Sequence, residues 1–463
     1  MFRRVLVANR GEIAVRVIRA CREQEIETVA VYSTADEGAL HTQIATRAIC
    51  IGAAKASESY LNASALVATA LATNCDAVHP GYGFLSEDPD FSDLCAEHGL
   101  VFIGPTGDVI RRMGNKSAAR SLMREHGVPV VPGSDGPVSS AAEAAALAAE
   151  IGYPVLVKAS AGGGGRGMRR VDAPEDLPAL FAQARSEAEA CFGNGEVYLE
   201  KLIINPRHIE FQILADKHGH VIHLGERDCS IQRKNQKLME ESPSRALDSD
   251  LRARMGDAAV KAARAAQYVG AGTIEYVLSQ DGCFYFIEMN TRIQVEHPVT
   301  EFVSGIDLIR EQLRIAVGLP LPLTQEQVVC RGHAIECRIN AEDPARGFLP
   351  CPGTTEFIHL PGGPGVRVDT ALFAGWTLSP YYDSLCAKVI VHAPTRLEAL
   401  RKLRRALEEL MIDGYPTTAD LCYLIAHEPD FMQGRYDTGY LEGHLQQLLQ
   451  FAGDSPTEER SAT

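Results

Sequence analysis

Between residues 284 and 296 the charged and amide side chains fall on even positions, and this alternation constrains the fold more than any other stretch of the chain. Successive residues of an extended strand point to opposite faces. Glu288, Asn290, Arg292, Gln294 and Glu296 therefore share one face if the backbone stays extended that far, while Ile287, Met289, Ile293 and Val295 share the other. A strand over 273–278 precedes it, and Asp281-Gly282 between them suits a two-residue hairpin loop, where both central residues take positive φ. Counting outward from that loop pairs Gln280 with Cys283 and sets Glu275 opposite Glu288, with Cβ atoms roughly 5 Å apart. Carboxylates that close repel, so the pair must take up a proton or a cation. Asn290 adds an uncharged oxygen to the same face, and such an all-oxygen set suits Mg²⁺ or Mn²⁺. A solvated strand face is the alternative. Against it, the other side (Ile274, Tyr276, Leu278, Tyr285, Ile287, Met289) is wholly apolar, so the hairpin lies on a core.

The chain opens as a buried strand at 4–8, a turn at 9–12, a helix over 13–23 and a strand over 28–32, the βαβ start of a parallel sheet. The first turn lacks G-x-G-x-x-G, so no dinucleotide site is expected. A later strand ends at His79 and leads into the loop 79–87, at the carboxyl end of the sheet where open α/β folds bind ligands. Gly114-Asn115-Lys116-Ser117 fails the P-loop spacing. Lys116 is then either a phosphate contact or a solvated helix lysine. A strand carrying Lys158 runs into Ala161-Gly162-Gly163-Gly164-Gly165-Arg166-Gly167. A flexible linker is one reading of these glycines. Because 168–171 returns as a strand, a lid that lays backbone N–H groups over a triphosphate is the preferred one.

Alternation over 208–214 places His208, Glu210 and Gln212 on one face. The stretch 224–237 is rich in long donors, including Gln232 and Lys237. It reads either as a solvated charged loop or as the cationic pocket an anion needs in a chain whose net charge is −15. That charge also disfavours nucleic acid. After Pro320-Leu321-Pro322 a β-rich unit begins, in which Glu336, Arg338 and Asn340 share a face and Arg338 gains a carboxylate neighbour two residues away; a helix follows over 396–411. Twelve cysteines without C-x-x-C read as reduced thiols, and no apolar run is long enough to cross a membrane.

Taken together, Ala8-Asn9-Arg10-Gly11-Glu12-Ile13-Ala14, the loop 79–87, the glycine loop, Glu226-Arg227-Asp228-Cys229-Ser230, residues 288–298 and Glu336-Cys337-Arg338 resemble biotin carboxylase, an ATP-grasp enzyme. The resemblance runs from about residue 2 to 445. It implies an N-terminal open parallel α/β domain (1–113), an ATP-grasp domain (114–325) with a mobile lid at about 131–203, a C-terminal β-rich domain (330–446) and a polar tail (447–463). It also implies that ATP and bicarbonate form carboxyphosphate, from which the carboxyl group passes to biotin N1. Lys116, Lys158, Gly164, Gly165, Glu200, Lys201, His208 and Gln232 would bind ATP, and Glu275, Glu288 and Asn290 would hold two Mg²⁺ or Mn²⁺ ions. Lys237, Arg292, Gln294 and Val295 would bind bicarbonate, and Glu296 would deprotonate it. Tyr82, Gly83 and Arg338 would meet biotin. Asn235, Ala161 and Ser242 depart from the family pattern, which bears on nucleotide affinity and lid motion.

The chain has no Met-Lys-Met biotinylation sequence, so the biotin carboxyl carrier is expected to be another polypeptide. The expected partners are that carrier and carboxyltransferase subunits, with a homodimer in the cytoplasm and acetyl-CoA as the final acceptor. The alternatives are a pyruvate or propionyl-CoA carboxylase subunit, another ATP-grasp carboxylate–amine ligase, or a silent nucleotide-binding regulator.

Overall fold

The computed structural model describes residues 1–160 and 168–453, and the glycine stretch with Ala161, Gly164 and Gly165 lies outside them. Five strands, β1 (Arg4–Val7), β2 (Glu27–Ser33), β3 (Arg47–Gly52), β4 (Ala77–His79) and β5 (Val101–Phe102), form a parallel sheet in the order β3-β2-β1-β4-β5. All four residues of β1 are buried, as a central strand covered on both faces requires. The Asn9 amide donates to the carbonyls of Pro80 and Tyr82, 2.7 Å each, and pins the next loop at the carboxyl end of this sheet. Gly81 takes φ +64° there, and a Cβ on it would lie 3.0 Å from that amide nitrogen.

A small antiparallel sheet of β6 (Val155–Ala159), β7 (Met168–Val171) and β8 (Val197–Lys201) carries two helices and its own core around Val155, Val157, Phe181 and Leu199. The remaining long strands are β9 (Arg207–Ala215), β10 (Val221–Arg233), β11 (Gln236–Ser242), β12 (Gly270–Leu278), β13 (Phe284–Asn290) and β14 (His333–Asn340). The short strands β15 (Glu342–Asp343), β16 (Leu349–Pro350) and β17 (Phe357–His359) come before β18 (Val366–Thr370), β19 (Leu385–Ala393) and β20 (Met411–Asp413). One antiparallel eight-stranded sheet runs β13-β12-β9-β10-β11-β14-β19-β18, so the C-terminal strands continue the sheet that carries the acid hairpin. The fold is mixed α/β. A core of Val5, Ile13, Leu214, Ile222, Ile293 and Leu308 joins the N-terminal sheet to it.

Several expectations need correction. The hairpin loop has three residues, not two: the Ser279 amide donates to the Cys283 carbonyl, and Gly282 takes φ +82°. A bulge at Ile287 restores the count, so Glu275 still faces Glu288. It also turns Tyr285 and Ile287 off the core face, which is filled by Phe284, Phe286 and Met289 with Ile274, Tyr276 and Leu278. The strand ends at Asn290, so Arg292, Gln294 and Glu296 lie beyond the alternation, with Glu296 immediately before the helix His297–Ser304. Residues 224–233 are strand rather than loop and largely buried, while Lys234, Asn235 and Gln236 at the turn are exposed. The stretch lies in β10 and β11, joined at Lys234 and Asn235, which take φ +48° and +64°. Asparagine tolerates that left-handed geometry, which accounts for Asn235 at the tip. The helix begun at Arg396 stops at Glu409, and Met411 starts β20.

Candidate active site

Every described position singled out above as a candidate site residue lines one cleft of about 1060 Å³ between the N-terminal sheet, the small sheet and the large sheet. At one end Lys158 Nζ lies 2.8 Å from Glu200 Oε2 and Lys116 Nζ 2.8 Å from Glu288 Oε2. Burial works against both ammonium groups, but Glu200 and Glu288 outweigh it and raise their pKa values. Lys201 Nζ donates to the carbonyls of Gly152 (2.8 Å) and Tyr153 (2.9 Å). Gln232 and His208 face the same space.

Deeper in, one lysine is shared by three acids. Lys237 Nζ donates to three carboxylates: Glu210 Oε2 at 2.6 Å, Glu296 Oε1 at 2.7 Å and Glu275 Oε1 at 3.1 Å. His208 Nε2 lies 3.0 Å from Glu275 Oε2, an ion-pair contact without the alignment of a hydrogen bond. Burial lowers the His208 imidazole, but Glu275 reverses this and holds it up at about 9. Burial likewise pushes Glu275 up, and Lys237 and His208 bring it down to about 2. Arg227, wholly buried on β10, donates to Glu210, Gln212, Thr273, Gln294 and Thr300. Gln294 in turn donates to Glu275 at 2.7 Å, so it is a bridge inside the network.

Glu296 is 2% exposed, and its second oxygen accepts from Arg338 Nη2 at 2.9 Å, while Arg338 Nε donates to Glu240 at 2.6 Å. Arg338 is therefore held by Glu240 and Glu296, not by Glu336 as alternation suggested. Burial raises the Glu296 pKa, but Lys237 leads the cations that lower it, leaving an ionised carboxylate between an ammonium and a guanidinium. Arg292 Nε donates to Glu87 at 2.8 Å, and its Nη2 donates to Asn290 Oδ1 at 3.0 Å. The Val295 carbonyl accepts from Lys388 Nζ at 2.8 Å. Tyr82 bonds through its hydroxyl to Glu12, which lies 3.1 Å from the same lysine, and Gly83 sits beside it in the cleft wall.

The chemistry available is that of a cleft with buried lysines, Lys116 and Lys158, at one end and a buried, ionised base, Glu296, further in. Glu275, Glu288 and Asn290 supply only oxygen donors. An all-oxygen set of this kind fits a hard divalent cation, and in this structure Glu275 is paired with Lys237 and His208 and Glu288 with Lys116.

Family models for the N-terminal domain of biotin carboxylase, the ATP-binding domain of the carbamoyl-phosphate synthase L chain and the C-terminal domain of biotin carboxylase match residues 1–110, 115–324 and 336–443. The chain belongs to the biotin carboxylase family. Members are ATP-grasp ligases, and so is this chain. It is 57% identical to the biotin carboxylase of Nostoc sp. over 95% of this chain and 99% of that one. It is 52% identical to the 2-oxoglutarate carboxylase small subunit of Hydrogenobacter thermophilus over 96% and 94%. The biotin carboxylase domain dimer of that carboxylase, solved with MgADP, ADP and bicarbonate, matches with a TM-score of 0.93 at 51% identity, covering 97% of this chain and 99% of that chain.

Sequence reasoning missed Glu87, Glu240 and Lys388, which this biotin carboxylase fold brings to the site. For Lys388 a signal existed: it is the one charged side chain in the apolar strand Leu385–Ala393, and such a lysine is stable only when paired.

Proposed function

We propose that this chain uses ATP and bicarbonate to carboxylate biotin carried by a separate protein. One observation carries the reading: Glu296 is ionised and has one oxygen on Lys237 and the other on Arg338, in the cleft that Lys116, Lys158 and Tyr82 also line. A base so placed can take the proton of a bicarbonate held by Lys237, Arg292, Gln294 and the Val295 backbone. The deprotonated oxygen attacks the γ-phosphorus, forming carboxyphosphate and releasing ADP. Lys116, Lys158, Glu200, Lys201, His208 and Gln232 would seat the nucleotide. A divalent cation held by Glu275, Glu288 and Asn290 would neutralise charge on the phosphoryl oxygens. In the second step the C–O bond of carboxyphosphate breaks to give CO2 and phosphate; biotin N1 gives its proton to that phosphate and bonds to the CO2 carbon, with Arg338 facing the oxyanion on the ureido ring and Tyr82 and Gly83 beside it.

On this reading residues 1–113, 114–325 and 330–446 are the three working parts. Acetyl-CoA is the proposed final acceptor; the name of the Nostoc relative, biotin carboxylase, specifies none. The 52% identity to the 2-oxoglutarate carboxylase small subunit favours a keto acid as a second reading. Identifying the biotinylated carrier and transferase that co-purify with the chain separates the two. A homodimer is supported by the dimeric solved neighbour, and a cytoplasmic setting by twelve free thiols.

The test is ATP cleavage measured with bicarbonate and free biotin added singly and together. Turnover should require bicarbonate and rise with biotin. Glu296→Gln should lower it about 10²- to 10⁴-fold while ATP still binds. ATP hydrolysis indifferent to bicarbonate would overturn the reading.

A further inference from the structure

Two acids behind Arg338 have no part in the steps above. Glu240 on β11 and Glu336 on β14 are direct cross-strand partners, 1% and 0% exposed. Such partners share a face, with Cβ atoms about 5 Å apart. Glu240 Oε1 accepts from Arg338. Glu240 Oε2 and both oxygens of Glu336 are buried, and among the described residues none of them has a hydrogen-bond partner. Facing carboxylates cannot both stay ionised in a dry site, and one proton between them satisfies an orphaned oxygen on each.

We propose that Glu240 and Glu336 share one proton and thereby set how tightly Arg338 is held back from biotin, which makes Glu336 a positioning residue for the biotin step. The proposal rests on the reading of Arg338 as the group that meets biotin.

The charged and titratable groups around the pair come from each neighbouring element. Arg338 lies two residues along from Glu336 on β14, Lys237 comes from β11, the Cys229 thiol from β10, Lys388 from β19, and Glu296 from the start of the helix packed on this face. Lys388 is itself occupied by Glu12 at 3.1 Å, the Val295 carbonyl at 2.8 Å and, more loosely, Asp369 at 3.8 Å. Burial pushes the Glu336 carboxyl well up; Lys388 opposes it, and Glu240 adds to it. Glu240 is raised as well, by burial first, with Arg338 opposing and Glu296 adding.

With its proton the pair carries one negative charge, and Arg338 can lean toward biotin's developing oxyanion. Without it, two full carboxylates draw the guanidinium back. A raised group keeps its proton below its folded-state value and loses it as pH rises through that value. Biotin therefore binds less well as pH rises.

The experiment compares the full chain with Glu336→Gln, whose amide can donate to Glu240 Oε2 at any pH, and with Glu336→Asp, which keeps a titrating proton. KM for free biotin is measured from about pH 6.5 to about pH 9.5. In the unaltered protein it should rise toward a limiting slope of about tenfold per pH unit. Glu336→Asp should retain a rise and Glu336→Gln should be flat, with biotin-free ATP cleavage following one profile in all three. An infrared carbonyl band from a buried protonated carboxyl should be present in the unaltered protein at neutral pH and absent in Glu336→Gln. Superimposable biotin-KM profiles for the unaltered protein and Glu336→Gln would overturn the proposal. So would absence of the carboxyl band from the unaltered protein, a result available even if the variant does not fold. Loss of any biotin dependence in the unaltered protein, with the band present, would instead overturn the assignment of Arg338.

Discussion

Replacing Arg227 by methionine is the sharpest test of how the acid-rich centre is held together. The guanidinium is wholly buried and reaches Glu210 Oε1 at 2.5 Å, Gln294 Oε1 at 2.5 Å, Gln212 Oε1 at 2.7 Å, Thr300 Oγ1 at 2.9 Å and Thr273 Oγ1 at 3.1 Å. Methionine fills much of the volume but donates nothing. Glu210 keeps Lys237 at 2.6 Å and His208 at 3.6 Å, and two amide oxygens lose their donor. Breaking a buried charge pair from one side costs about 3–5 kcal/mol. The amide losses fall in the same pocket and do not simply add, so about 4 kcal/mol is expected. For a cooperative unit of about 200 residues this lowers Tm by about 8–16 °C, read by calorimetry. The sign with pH follows from Glu210. Burial raises its pKa, but Lys237 and Arg227 outweigh that and hold it well below the ordinary value. Its stabilising contribution is full above about pH 4.3 and lost as pH falls. The gap between the two proteins should therefore narrow on acidification below that point. A Tm drop under about 3 °C, or a gap that widens in acid, would refute the assignment of Glu210 as the group left unpaired.

Arg338→Ala should weaken biotin carboxylation far more than the slow ATP cleavage seen without biotin, because the loss falls on the second step; equal loss in both assays would remove its biotin-specific role. Lys388→Met leaves Glu12 and the Val295 carbonyl without their buried donor. It should cost about 3–5 kcal/mol in denaturant unfolding and raise KM for bicarbonate, and unchanged values would show that this lysine does not hold the loop.

Much of the architecture was legible in local pattern. Period-two alternation determined that Glu275 and Glu288 belong on one strand face, and the apolar run at 4–8 with the turn after it determined the βαβ opening. Both depend only on neighbours a few residues apart. Even so, the Glu275–Glu288 pairing came out right through two errors that cancel, a longer loop and a bulge at Ile287, because a one-residue bulge leaves no mark in a single sequence. Tertiary structure alone decided who holds whom. Arg338 meets Glu240 and Glu296 across separations of 98 and 42 residues, and Arg292 meets Glu87 across 205. The donor-rich stretch 224–233 became a buried ladder for the same reason: a guanidinium is stable in the interior only where distant strands deliver its acceptors together. Local pattern says which face a side chain takes, and only the closed fold brings a partner to meet it.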